Sequence, residues 1–195
     1  MKQSYSIVMH MEETAKALKG TNPKEVVIAI SPAFGKALSK TIVQVNHSEV
    51  LREIMSGIEE QGGVTRVIRY FETADLAFIG HQAAKLSGSG IGIGIQSRGT
   101  TIIHQQDLDP LSNLELFPQS PLITLETYRA IGRNAALYAR GENVNPVPVV
   151  NDQMARPRYQ AIAAILHLKE SQEIVQNKLA VDVECTFTIS EEEMV

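Results

Sequence analysis

Residues Leu86–Thr101 read LSGSGIGIGIQSRGTT, with glycine at 88, 90, 92 and 94 and isoleucine at 91, 93 and 95. A period of two is the mark of a strand, where successive side chains point to opposite faces. The run is not a dinucleotide fingerprint. That motif needs its third glycine three places after the second, and here those places hold Ile93 and Ile95. No Lys-Ser or Lys-Thr pair follows to complete a phosphate loop. Glycine inside a strand costs about 0.5–1 kcal/mol relative to alanine, so the bare face implies a close neighbour. A helix, another backbone or a flat ligand would each serve.

On either side of this strand the pattern alternates between strand and helix. EVVIAI (residues 25–30) is a continuous apolar run before Ser31-Pro32, as in a strand buried on both faces. NHSEVLREIMSGIEEQGG carries Val50, Leu51, Ile54, Met55 and Ile58 at helical spacing and stops at Gly62-Gly63. VTRVIRYF reads as the next strand, and TADLAFIGHQAAKLSG as a second helix with Thr73 as its N-cap. The turn SRG joins IGIGIQ to TTIIHQ. LITLETYRAIGRNAALYARGE is a further helix, with Thr124, Tyr128, Ile131, Ala135 and Tyr138 on one face. Arg129, Arg133 and Arg140 lie on the opposite face, either solvated or docked on an acidic partner. After the Pro-rich NVNPVPVVND come a helix in QMARPRYQAIAAILHLKE, a strand in KLAVDVECTFTI and an acidic tail, SEEEMV. Alternating strands and helices predict an open α/β sheet, one domain over residues 25–195 after a flexible arm over residues 1–24.

The 195 residues are 44% hydrophobic, enough for one real core. A net charge of −4 argues against a nucleic-acid partner. Cys185 is the single cysteine, which rules out a disulfide within the chain and points to a reducing compartment. The N-terminal apolar run is broken by His10, Glu12 and Glu13, so neither a signal peptide nor a membrane span is expected. Histidines 10, 47, 81, 104 and 167 show no ligand-like spacing with each other or with Cys185. Ser87, Ser89 and Ser97 lack a nucleophile elbow, and Pro110 follows Asp107-Leu-Asp109 where a calcium loop would continue. Glu59-Glu60 reads as a solvated helix end. No nucleophile, base and orienter assemble, so no catalytic or metal-binding residue is assigned. The residues themselves describe a binding or accessory subunit.

The run from Leu86 to Arg140, followed by PVPVVNDQMARPRYQAIAAILHLKE, closely resembles the medium (beta) subunit of adenosylcobalamin-dependent diol and glycerol dehydratases. EVVIAISPAFG and LREIMSGIEEQGGVTRVIR match the same family, so the likeness spans about residues 25–170. It implies a single three-layer α/β domain with a mixed, mostly parallel open sheet. It implies a cytoplasmic hydro-lyase, free or in a bacterial microcompartment, that converts a 1,2-diol to an aldehyde and water. This chain would be its non-catalytic medium subunit, assembled with large and small subunits as a dimer of heterotrimers and served by a reactivating factor, with no nucleic-acid or membrane partner. In that family cobalamin lies between the large subunit's barrel and the medium subunit, and potassium belongs to the large subunit. The Gly strand and its turn would then be part of the floor beneath the cofactor, unless a helix of this chain covers the glycines.

The resemblance also implies cofactor-binding residues. The family's QSKG turn is QSRG here, so Arg98 would face the nucleotide-loop phosphate or an amide. Arginine keeps the charge but changes the geometry. In LSNLELFP, Leu111 and Pro118 would pack on the benzimidazole side, and Ser112 and Asn113 would offer polar groups. Binding would be base-on, because no histidine here sits in the Asp-x-His-x-x-Gly pattern of proteins that displace the benzimidazole; Ile102 stands two places before His104. Two other readings are the small subunit of a dehydratase-reactivating factor and a free-standing small-ligand-binding α/β protein. The first would lack LETYRAIGRNAALYA and NDQMARPRYQ; the second would not co-purify with a barrel subunit.

Overall fold

The computed structural model describes residues 4–192. In chain order its elements are β1 (Ser4–Lys16), β2 (Glu25–Ile30), α1 (His47–Glu60), β3 (Val64–Arg69), α2 (Leu76–Leu86), β4 (Ile91–Ile95), β5 (Thr101–Gln105), β6 (Glu115–Phe117), α3 (Leu125–Ala139), α4 (Ala155–Gln172) and β7 (Val181–Glu192), with a 3₁₀ turn at Ser120–Leu122. All six residues of β2 are buried because it lies in the middle of a seven-stranded sheet of order β1-β7-β3-β2-β4-β5-β6. Its side chains divide two cores. Val26, Ile28 and Ile30 join Leu51 and Ile54 of α1 and Ile131 and Ala135 of α3. Val27 and Ala29 join Ile79 and Ala83 of α2. The result is the expected three-layer α/β domain with an open mixed sheet.

Two features differ from the sequence reading. The sheet is not mostly parallel: only β2–β3 and β2–β4 are parallel pairs, while β1–β7, β3–β7, β4–β5 and β5–β6 are antiparallel. The helical crossovers run through α1 and α2 only, and the outer strands return by turns or from the far end of the chain. The expected arm is, over residues 4–16, the edge strand β1, paired with β7 from Ser4↔Glu192 to Glu13↔Val183 and, past a bulge, Lys16↔Val181. Met9 and Met11 pack on the core. The rest of the acidic tail, residues 193–195, lies outside the described residues, as do residues 1–3.

The bare face of the Gly strand is also settled. A Cβ at Gly92 would strike the backbone of Ala83 and Ala84, and one at Gly94 would come 2.6 Å from the Gly80 nitrogen. The close neighbour is this chain's own α2, backbone against backbone. The glycine face is therefore not the floor of a cofactor site; only the turn after the strand stays available for that role.

On the other side of the sheet α1 and α3 cross at matched glycines. A Cβ at Gly57 would run into the Arg129 carbonyl, and one at Gly132 into the Ile54 carbonyl. This close approach lets Arg129 reach Glu53 at 2.8 Å and Glu60 at 2.5 Å, with Arg133 3.4 Å from Glu60. The basic stripe of α3 thus has an acidic partner within the chain. Glu60 is paired rather than merely solvated, and its bonds to Arg129 hold its pKa below the usual carboxylate value. Asp75, not Thr73, caps α2: its carboxylate accepts from Ala77 N at 2.9 Å, while the Thr73 hydroxyl accepts from Asp75 N. Among the described residues no helix is long and apolar enough to cross a membrane.

Candidate functional site

β2 runs to β3 through α1 on one face, and β3 returns past β2 to β4 through α2 on the other. The carboxyl ends of β2 and β4 therefore flank the point where strand order reverses, the usual ligand crevice of an open α/β sheet. Two loops meet there, residues 31–35 after β2 and residues 96–99 after β4. Ser97 N donates to Ser31 Oγ at 3.0 Å, joining them directly. Arg69, 2% exposed, gathers the first loop by donating from Nη1 to the carbonyls of Ser31, Pro32 and Phe34 at 3.2, 3.0 and 2.7 Å. Its Nε lies 2.9 Å from a Glu13 carboxylate oxygen on β1.

His47 is the second fixture. Its Nδ1 accepts from Gly35 N at 3.0 Å, so the ring proton is on Nε2 and is donated to the Ser97 carbonyl at 2.7 Å. The ring stacks on Phe34 with centroids 3.8 Å apart. Burial and the nearby Arg69 charge push its pKa down to about 4, despite carbonyl bonds that favour the cation. It is a neutral structural pin.

The second loop presents Arg98. Gly99, at φ +104°, makes the turn that glycine favours, and the Tyr128 hydroxyl fixes it by donating to the Gly99 carbonyl at 2.8 Å. Arg98 Nε donates to Gln96 Oε1 and Thr100 Oγ1, both at 3.0 Å. Among the described residues its two terminal amino groups have no partner. Burial lowers its pKa and the Glu170 charge opposes the shift.

Arg98 and Pro118 line one cleft of about 410 Å³, with Ile42, Gln119, Ser120 and Pro121 on one side and Arg156, Tyr159, Gln160 and Ala163 of α4 on the other. Leu111, Ser112 and Asn113 are elsewhere. They sit exposed on the β5–β6 loop, Leu111 at 77%. Thr101, beside the Arg98 turn, pairs with Phe117, and Ile103 with Glu115, so that loop leaves from the opposite end of β5. The edge strand β6 links the two groups. The sequence reading missed the α4 residues: α4 is more than fifty residues beyond Arg98, and only the basic, aromatic ARPRY hinted at a ligand.

The cleft offers cationic and amide donors beside proline rings, a binding surface for an anionic ligand with apolar parts. Among the described residues no three His, Cys, Asp or Glu side chains are placed to hold a metal ion.

A profile of the family described as dehydratase medium subunit matches residues 31–145, more than half of the chain. Two solved structures are similar. One, titled "Glycerol dehydratase reactivase", is 21% identical over 61% of this chain and 94% of its own, with a TM-score of 0.50. The other, a "diol dehydratase-reactivating factor complexed with ADP and Mg2+", is 21% identical over 71% of this chain and 100% of its own, with a TM-score of 0.45. At such identity the first likeness shows a shared fold and nothing about activity.

Proposed function

This chain belongs to the family of dehydratase medium subunits, and from that premise we propose that it supplies one wall of the adenosylcobalamin site in a glycerol or propane-1,2-diol dehydratase. The family implies assembly with other dehydratase subunits; the partners proposed are a large catalytic barrel subunit and a small subunit, two of each with this chain. The family match favours this reading over the small subunit of a reactivating factor.

The observation that carries the ligand assignment is the Arg98–Pro118 cleft. Its donor set fits part of such a cofactor: a guanidinium with free amino groups for a phosphate or amide, a tyrosine, two glutamines, and prolines for a flat apolar ring. A corrinoid with its nucleotide loop exceeds 410 Å³, so an open cleft on one subunit requires a facing surface on another. When bound, the cofactor would supply the radical chemistry of the dehydration. This chain's part is to bind and orient. Gln96 and Thr100 hold Arg98 Nε, which fixes the guanidinium plane before the ligand arrives. Pro118 follows β6, and a ligand lying along that edge strand would also meet Leu111, Ser112 and Asn113 at its other end.

The test is Arg98→Ala in the reconstituted complex. A charge-assisted hydrogen bond contributes roughly 1.5–3 kcal/mol, so the adenosylcobalamin Kd should rise about 10- to 100-fold. An unchanged Kd would remove the cleft from the cofactor site.

A further inference from the structure

Helix α4 is oddly held. Only Ala155 near its start and Glu170 near its end are buried, while Ile162, Ile165 and Leu168 are 46, 54 and 61% exposed. A carboxylate is among the last side chains expected inside without partners. Glu170 is 3% exposed, and both its oxygens are engaged by backbone: Oε1 accepts from Ala33 N at 2.7 Å, and Oε2 at 3.0 Å shares the Ser97 N–H with Ser31 Oγ. These two N–H groups come from the loops after β2 and β4, so the carboxylate occupies the strand-order switch point, where such folds bind ligand anions. The Arg69 and Arg98 charges lie close enough to interact with it. One helical face carries both functions, because Tyr159 and Ala163 line the Arg98 cleft and Leu166 and Glu170 continue that face across the turn.

We infer that Glu170 is a positioning residue, an internal carboxylate seated in the switch-point N–H cradle that fixes α4 as the second wall of the Arg98 cleft. The inference rests on the reading of that cleft as the ligand wall. Without the anchor, the carboxyl half of α4 has only half-buried contacts, and Tyr159 and Arg156 lose their fixed place opposite Arg98.

Glu170→Ala keeps the Cβ and deletes a fragment the size of acetate, which makes the cradle testable by chemical rescue. The full-length variant is expected to stay folded by circular dichroism. Trypsin should cut at Arg158 and Lys169 roughly 10- to 100-fold faster, the fold-change for losing hydrogen bonds to a charged group in a local opening equilibrium. Acetate, but not chloride, should restore protection and shift the Ala33 and Ser97 amide resonances saturably in the variant and not in the wild type. In the assembled complex the adenosylcobalamin Kd should rise and be lowered again by acetate. Glu170→Gln keeps the volume and one acceptor oxygen; it should cleave at an intermediate rate, and it carries the measurement if the alanine variant does not fold. Unchanged tryptic protection, or faster cleavage that acetate neither reverses nor accompanies with amide shifts, overturns the anchor. If acetate restores protection while Arg98→Ala leaves cofactor affinity unchanged, the anchor stands and the cleft assignment falls.

Discussion

At Gly92 the absence of one methyl group decides how close a helix can lie. A Cβ there has no room because the obstacles are backbone atoms of Ala83 and Ala84, not the ends of flexible side chains. Gly92→Val should therefore destabilise the isolated chain by at least about 1–3 kcal/mol despite valine's preference for strands. Denaturant melts of the subunit alone check this; a normal melt with failed assembly would mean that the face is open to a partner after all. His47 sets a pH dependence. Its folded pKa, pushed down to about 4 from 6.5, means that between those values the unfolded chain binds more protons than the folded one. Stability is then complete above about pH 6.5 and falls as pH drops toward 4, by up to about 3 kcal/mol at ~1.4 kcal/mol per unit. Denaturation at several pH values between 7 and 4 should show this loss in the wild type and a shallower one in His47→Gln. Equal slopes would show that His47 does not cause it.

Among the elements, the α1–α3 pair shows which contact sets stability. Gly57 and Gly132 bring the two backbones together, whereas the Arg129 pairs with Glu53 and Glu60 lie at the surface. Gly132→Val should cost about 1–3 kcal/mol by overpacking. Arg129→Ala should lower the melting temperature far less, and the difference should vanish in about 1 M salt, where screening acts within ~3 Å. A larger loss in the arginine variant would reverse the ranking. The same contrast explains what the sequence made legible. The strands β2 to β5 and helices α1 to α3 each carry a full period of apolar residues within one segment, and each was readable; α4 was readable as a helix only from its apolar run at residues 161–166. The partner of β1 is β7, about 170 residues away, so Ile7, Met9 and Met11 show a period of two whose meaning depends on a strand at the other end of the chain. Three-residue β6 is too short for any period, and Glu115 inside it is held by Asn134 and Val147 N rather than by pattern. In the site, the QSRG turn gave Arg98, and chain order brought Pro118 to it. The wall opposite depends on how α4 seats against the 3₁₀ turn and the loops after β2 and β4, which periodicity does not encode, and Glu170 looks like an ordinary surface glutamate until its two N–H donors are seen.

Across the whole molecule the proposed binding surface is one-sided: an open cleft, an exposed apolar helix and a family of subunits. The isolated chain should therefore bind adenosylcobalamin weakly and turn over no diol. Turnover without partner chains would overturn the accessory role. The two ends of the chain impose a second requirement, because β1 forms one edge of the sheet and Glu13 on it reaches Arg69. Glu13 is 32% exposed and sits 2.9 Å from the Nε of Arg69, which in turn holds the carbonyls of the loop after β2. Deleting residues 1–16 would bare the edge of β7, uncover the core beneath Met9 and Met11, and leave Arg69 buried without its carboxylate. A free arm could be removed without effect; this strand should not be. The truncated chain should melt well below the full-length one and aggregate through its new edge. Glu13→Gln separates the charge from the strand. Breaking a buried pair costs about 3–5 kcal/mol, and the partial exposure of Glu13 reduces that to roughly 1–3. Melts of both variants beside the wild type decide the matter: a truncated chain as stable as the full one would return residues 4–16 to the status of a loose arm, and a neutral Glu13→Gln would show that Arg69 is satisfied by its carbonyls alone.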